Sequence, residues 1–364
     1  MTAAANTHRP FKLGVVGCGE VASYGHLPAI AESAACELHA LLDPDPARLA
    51  ALGERYELSS DALCTDAEAF YAHDLDGVAI TSPAPVHLQN VLDAVRHRVP
   101  ILCEKPLAMS AAEGQEMIAA AEAQGVMLAV AFCYRYSPAA QRIKRLIEDG
   151  AIGEPRTLRL VFNWTCHGVE IPGETSEART HHARRRQGRM LEGGPMVDCG
   201  THQIDLAQWW LDSPIQSIVG HGSWVENYEA PDHTWAHLTH DSGAHTMVEI
   251  SFSYGHATPH LPKRFHYELI GTEGLIVYDR TAKSFRLHNS QGEHELPYAP
   301  EKSFAGLYTA FARALDAGHA EPHLASAAHG LEVTRIAREA TNQAIASRTP
   351  DVTHADRSSL GAAQ

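Results

Sequence analysis

Five short apolar runs recur in the first third of the chain, near residues 15, 40, 79, 102 and 129, with amphipathic stretches between them. Runs this short and continuously apolar read as strands covered on both faces. Strands joined through helical stretches build a parallel, doubly wound sheet, because a parallel connection needs a crossover. Residues 1–132 are therefore expected to form an α/β domain. Helix starts fall where this scheme needs them. Asp45-Pro46 has the form of a cap followed by a first-turn proline, and Thr65-Asp66-Ala67-Glu68 and Ser110-Ala111-Ala112-Glu113 have the form of capping boxes.

The first strand runs into Gly17-Cys18-Gly19-Glu20-Val21-Ala22, a G-x-G-x-x-A sequence lying between a strand and a helix. In that setting it reads as the dinucleotide-binding turn of a Rossmann domain. Gly17 permits the tight turn, Gly19 lets the backbone approach a pyrophosphate, and Ala22 lets the helix pack close to the strand. Glu20 and Val21 open the helix, whose free N–H groups face the phosphates. Asp43 ends the second strand, where an acid can accept hydrogen bonds from ribose hydroxyls. Pro44-Asp45-Pro46 follows with no base immediately after it. A second acid there repels a 2′-phosphate, so NAD is expected over NADP. The plainer alternative is that Asp43 only begins a turn.

The fourth strand ends in Glu104-Lys105-Pro106. Pro106 has no N–H and biases Lys105 to an extended backbone, so the strand stops there. Glu104 and Lys105 are thereby set at the carboxyl edge of the sheet, where open α/β sheets bind ligands. A lysine there can offer a charge or a proton to a bound oxygen, and partial burial lowers a lysine pKa. The bland alternative is a solvated lysine at a strand end.

Beyond residue 132 the pattern changes. Ser137-Pro138 caps a helix that runs to Gly150. Strands are then expected at 157–164, 215–224, 234–239, 245–252, 264–270 and 274–278, several of them alternating polar and apolar as half-exposed antiparallel strands do. This is an α+β domain, over 133–323, with one open sheet face. A helix over 196–211 carries Asp198, His202 and Asp205 at offsets that place all three on one face. A carboxylate beside a histidine fixes its tautomer and raises its basicity. A solvated polar face and a metal site are the competing readings, but no full ligand set accompanies these residues, so no metal is expected. Residues 170–189 read as a loop rich in Arg and His, suited to an arm on a neighbouring subunit or, second, to an anionic group on the substrate. Phe304, Leu307, Tyr308, Phe311 and Leu315 have the spacing of a core-facing helix. A last helix, about 324–345, is expected to pack back on the first domain, and residues from Thr349 read as a frayed tail.

The chain has 364 residues and a formal net charge of −15, which excludes non-specific binding to nucleic acid or anionic membranes. No run is long enough to span a bilayer. The seven cysteines have no CxxC pair, which fits free thiols and a cytoplasmic location.

Taken in order, the glycine turn, Asp43, Glu104-Lys105-Pro106 and Asp198-x-x-x-His202 resemble the Gfo/Idh/MocA family, named from glucose–fructose oxidoreductase, inositol dehydrogenase and a rhizopine-catabolism protein. The resemblance runs from about residue 11 to 345. It implies an N-terminal Rossmann domain and a C-terminal α+β domain with a large open mixed, mainly antiparallel sheet. It implies oxidation of a secondary hydroxyl on a sugar, sugar derivative or cyclic polyol, or the reverse reduction, with NAD or NADP. By similarity, Lys105 and His202 are the acid/base pair, and Asp198 binds substrate or positions His202. Glu104 would lie near the nicotinamide. Ser82, Pro83 and His87 match the stretch that lines the cofactor crevice. Tyr134 falls where relatives place a substrate-contacting side chain. The family implies a homodimer or homotetramer formed through the open sheet. Two other functions fit the same resemblance. One is a glycosidase or epimerase that keeps NAD bound and works by transient oxidation. The other is a non-catalytic NAD-binding protein, against which the intact Lys105, Asp198 and His202 argue.

Overall fold

In the computed structural model, which describes residues 9–166, 175–255, 263–319, 321 and 323–348, the apolar runs form one parallel sheet. Its strands are β1 (Phe11–Val16), β2 (Cys36–Leu42), β3 (Leu63–Cys64), β4 (Gly77–Ile80), β5 (Ile101–Cys103) and β6 (Leu128–Val130). They lie in the order β6-β5-β4-β1-β2-β3, so the chain reverses direction between β1 and β4. Every residue of β4, β5 and β6 is buried, as expected for strands with helices on both faces. Asp45 caps its helix through Ala47 N and Arg48 N, Ser110 through Glu113 N, and Ser137 through Ala140 N. The box at Thr65 is displaced by one residue: Asp66 is the cap, accepting from Ala69 N. Its carboxylate is a stronger acceptor than the threonine hydroxyl.

The second sheet comprises β7 (Pro155–Asn163), β8 (Ile215–Ser223), β9 (His233–His240), β10 (His245–Ser251), β11 (Arg264–Gly271), β12 (Gly274–Asp279), β13 (Ser284–Asn289) and β14 (Gly292–Glu295). The order is β14-β13-β12-β11-β7-β10-β9-β8, and only β7 and β10 pair in parallel. The sequence reading missed β13 and β14. Their charged residues, Arg286, Glu293 and Glu295, suit an edge that must not pair further. One face is covered by the helix Thr201–Leu211, backed by the helix Pro138–Glu148 through Trp210 Nε1 donating to Ala140 O at 3.0 Å. Among the described residues much of the other face is open. Paired positions place Val219, His237, Met247, Arg159, Glu268 and Val277 in one row across it. Val219 and Met247 are about half exposed, at 47% and 48%.

Two elements differ from expectation, and the helix expected from Phe304 to Leu315 forms. The basic segment read as a loop is a helix, Ser176–Leu191, capped by Thr175 accepting from Ala178 N. Charge rather than periodicity dominated the reading of that stretch. Its Arg186 is buried, donating to Cys166 O, Phe252 O and Ser253 Oγ, so the face pointing inward is polar. Residues 170–174 of that segment, and the tail from Thr349, lie outside the described residues. The helix Phe304–Ala317 packs against the first sheet's side of the molecule, with Phe304 meeting Gly25 and Phe311 meeting Gly77. Last, a two-residue strand, Ala325–Ser326, pairs antiparallel with β6 and leads into the helix Ala327–Ala346. That helix touches both units. Gly330 lies on Val130 of β6, while Gly220 of β8 lets the helix backbone come so near that a Cβ would stand 2.1 Å from Ala340 O.

Candidate active site

The carboxyl ends of β1, β2, β4 and β5 open into a cleft of about 1110 Å³, walled on its far side by residues of the second unit. Of the candidate site residues singled out in the sequence of the two units, all but Ala22, His87 and Asp205 line it. Gly17 has φ of +85°, and a Cβ there would fall 2.5 Å from Ser82 N, so only glycine fits. A Cβ on Gly19 would meet nothing within 4 Å. The missing side chain therefore leaves open space beside the backbone, as a pyrophosphate requires. The helix that follows closes its first turn with Ser23 N donating to Gly19 O at 3.0 Å. Ala22 is fully buried behind the turn. These features fit a dinucleotide.

Two of the expected residues already have partners within the fold. Asp43 is 3% exposed, and its carboxylate already accepts from Cys18 N at 2.8 Å, Asp45 N at 2.9 Å and Arg48 Nη1 at 3.0 and 3.1 Å. It locks the glycine turn to the end of β2, and a ribose hydroxyl would have to share it with those donors. Arg48 also supplies the base that the sequence reading found lacking. It lies two residues beyond Pro46, and it lines the cleft. His87 is buried away from the cleft. Its Nε2 lies 2.8 Å from Ser82 O and its Nδ1 3.1 Å from Pro106 O, so it braces the Ser82 loop against the loop after β5. Burial pushes its pKa down.

Lys105 leaves the end of β5 and crosses to the second unit. Its Nζ donates to Asp198 O at 3.0 Å and to Asp198 Oδ1 at 2.8 Å. Two of its three N–H groups are thus engaged and one is left for a ligand. Burial opposes its charge, but the carboxylates of Asp198 and Glu104 prevail and raise its pKa, contrary to the lowering expected from burial alone. Asp198 is itself opposed by burial, yet Arg189 and Lys105 hold it well below the ordinary carboxylate range. Its other oxygen takes Arg189 of the basic helix. Asp198 is therefore occupied by two cations, and no hydrogen bond joins it to His202.

His202 is reached by a change of helical pitch. Met196–Gly200 is a π-helical turn that continues into the α-helix Thr201–Leu211. The ring lies flat on Tyr134, with centroids 4.1 Å apart and planes 3° from parallel. Nδ1 is buried with no partner among the described residues, which leaves Nε2 to meet a ligand. Burial first, then the charges of Lys105 and Lys302, push its pKa well below the ordinary value, so the imidazole is neutral near pH 7. Asp205, expected on the same stripe, turns away. It is fully buried and held by Arg135 at 2.6 Å and His329 at 2.7 Å.

Residues 11–132 match the oxidoreductase family with an NAD-binding Rossmann fold, and residues 140–277 match the GFO/IDH/MocA C-terminal domain. The chain belongs to the GFO/IDH/MocA oxidoreductase family. It is 32% identical to the D-apiose dehydrogenase of Paraburkholderia graminis over 82% of this chain and 76% of that protein. It is 28% identical to the 1,5-anhydro-D-fructose reductase of Ensifer adhaerens, over 74% and 79%. Its fold matches that of the aldose-aldose oxidoreductase of Caulobacter crescentus with a TM-score of 0.78 at 21% identity, covering 93% of this chain and 99% of the other. The chain is thus an enzyme that uses a nicotinamide dinucleotide.

In this GFO/IDH/MocA chain some site residues were read only in part from the sequence and others not at all. Arg189 and Arg185 belong to the basic segment for which an anionic group on the substrate was the second expectation; folded as a helix, it brings both to the cleft, where Arg185 pairs with Glu20 at the glycine turn. Spacing of four residues between them was the available signal. His26 and Tyr308 lie behind Glu104: Tyr308 Oη is 2.8 Å from His26 Nδ1, and His26 Nε2 is 3.0 Å from Glu104 Oε1. The separation of 282 residues between His26 and Tyr308 gave no sequence signal.

Proposed function

We propose that the enzyme oxidises a secondary hydroxyl of a sugar or cyclic polyol, or reduces the corresponding ketone, with Lys105 and His202 as its acid/base pair. One observation carries the reading. A lysine from the first unit and a neutral imidazole from the second line the same cleft as a glycine turn fitted to a dinucleotide. The relatives' names, D-apiose dehydrogenase and 1,5-anhydro-D-fructose reductase, support a sugar substrate.

The bound cofactor supplies the acceptor for hydride leaving the carbinol carbon. His202 takes the hydroxyl proton, through Nε2, as the C–H pair departs, and the ring stacked on Tyr134 keeps one orientation while it does so. The free N–H of protonated Lys105 donates to the same oxygen and stabilises its growing negative charge. Asp198, itself held by Arg189, keeps the Lys105 ammonium in place. In reduction the proton returns from His202 to the oxygen. NAD is the preferred cofactor in this reading, because the buried Asp43 carboxylate stands at the end of β2, although Arg48 reduces its repulsion of a 2′-phosphate. The open sheet face is the surface for association with a second copy.

Sugars, inositols and other polyols offered with NAD and with NADP, followed at 340 nm, test the proposal. Turnover is expected with at least one class. Lys105→Met should then lower kcat by about a hundredfold or more with cofactor binding retained. Absence of turnover throughout the panel would refute the reaction, and near-normal turnover in the variant would remove Lys105 from it.

A further inference from the structure

Most charges in the cleft are matched. Arg185 pairs with Glu20, Arg280 pairs with Glu301 at 2.6 Å, and Lys105 and Arg189 face Asp198 with Glu104 beside them. Lys302 is not matched. Among the described residues it has no carboxylate partner, and its Nζ lies 5.6 Å from the ring centroids of both Tyr24 and Tyr134. Aromatic faces hold an ammonium without cancelling its charge. Tyr134 is the ring on which His202 lies, and Lys302 is near enough to help Lys105 depress that imidazole. Lys263 is a second such cation, 5.5 Å from the Trp164 ring, also lining the cleft.

An acidic chain of net charge −15 thus keeps, among the described residues, ammonium groups without carboxylate partners in the cleft that holds its acid/base pair. A cationic cleft in an acidic protein gathers anions. The cofactor phosphates are one claimant, but their place is the glycine turn and the helix start at Glu20 and Val21. Lys302 stands instead against the ring that backs His202.

We propose that the substrate is an anionic sugar derivative, whose carboxylate or phosphate is received by Lys302 while its reacting hydroxyl meets His202 and Lys105. This rests on the dehydrogenase reading above and narrows its substrate class. Lys302 acts as a specificity residue: it touches the substrate remote from the reacting carbon.

Matched sets test it: D-glucose, D-glucuronate and D-glucose 6-phosphate; D-galactose and D-galacturonate; D-glucitol and D-gluconate. In the wild-type chain, kcat/KM should favour at least one anion over its neutral parent by about tenfold or more, the size of one charge-assisted contact. Preference for the acid or for the phosphate identifies which group is received. In Lys302→Met that ratio should fall by about tenfold, chiefly through KM, and Lys302→Arg should retain most of it. Neutral parents used equally well or better, or a ratio unchanged in Lys302→Met, would overturn the inference while leaving the dehydrogenase reading intact. If no compound turns over, calorimetric titration of the same compounds into NAD-saturated protein decides it. Anion binding lost in Lys302→Met supports the role of Lys302, and equal binding to both proteins rejects it.

Discussion

At the scale of single residues, the site separates two titratable groups by environment. Lys105 and Asp198 stabilise each other's charged forms, while His202 is left neutral by burial and by the cations around it. The sign of the pH dependence follows. A base whose pKa is depressed stays competent at neutral pH and into mild acid, and fails only when protonated. For alcohol oxidation, kcat/KM should therefore fall on the acid side with a midpoint below 6.5, the ordinary value from which His202 is displaced. A pH–rate profile with its acid limb at or above 6.5 would take His202 out of the base role. The same environment explains what the residues disclosed in advance. Glu104-Lys105-Pro106 and Asp198-x-x-x-His202 could be found because each is local in sequence. The occupation of Asp198 by Arg189, and of Asp43 by Arg48, could not be read with equal ease. A carboxylate named as a candidate in isolation carries no sign of which cations fold onto it.

Among elements, the strands of the first sheet were legible because burial on both faces makes them uniformly apolar. The second sheet was legible in its central strands, where alternation is clear, and not at β13 and β14, which are short and charged. The helix Ser176–Leu191 was missed for a different reason. Its inward side carries Arg186, which satisfies carbonyl oxygens, and Met190, so no apolar stripe marks it. Arg186 is its anchor. Removing that guanidinium strands the carbonyl of Cys166, leaves Phe252 O with Cys166 N alone, and leaves Glu226, now 2.9 Å away, without its arginine. Arg186→Met should cost about 3–5 kcal/mol of stability, measured by denaturant unfolding. A loss below about 1 kcal/mol would mean that the helix is held by its other contacts. Because Arg189 rides on the same helix, the variant should also weaken the hold on Asp198.

For the molecule as a whole, two sheets of different character meet at one cleft, and among the described residues only the second leaves much of a face open. Exposed Val219, Met247 and Ile270 stand there among Arg159 and Glu268, which oppose each other across neighbouring strands. A row that sets Arg159 and Glu268 side by side between apolar Met247 and Val277 complements its own copy when turned over. Light scattering on the purified chain should give a mass of twice the 39.5 kDa subunit or a higher even multiple, and Met247→Glu should shift it toward the monomer. A monomeric wild-type protein would dismiss that face as an association surface.

The helix Ala327–Ala346 has a consequence for synthesis. It is the final described helix to leave the ribosome, and the strand just ahead of it, Ala325–Ser326, closes the edge of the amino-terminal sheet. Translation therefore delivers the first 132 residues long before the piece that seals them. Until the notch at Gly220 receives Ala340, the carboxyl-terminal sheet is unsealed as well. Vectorial folding of this polypeptide must hold two unfinished halves open and complete them together.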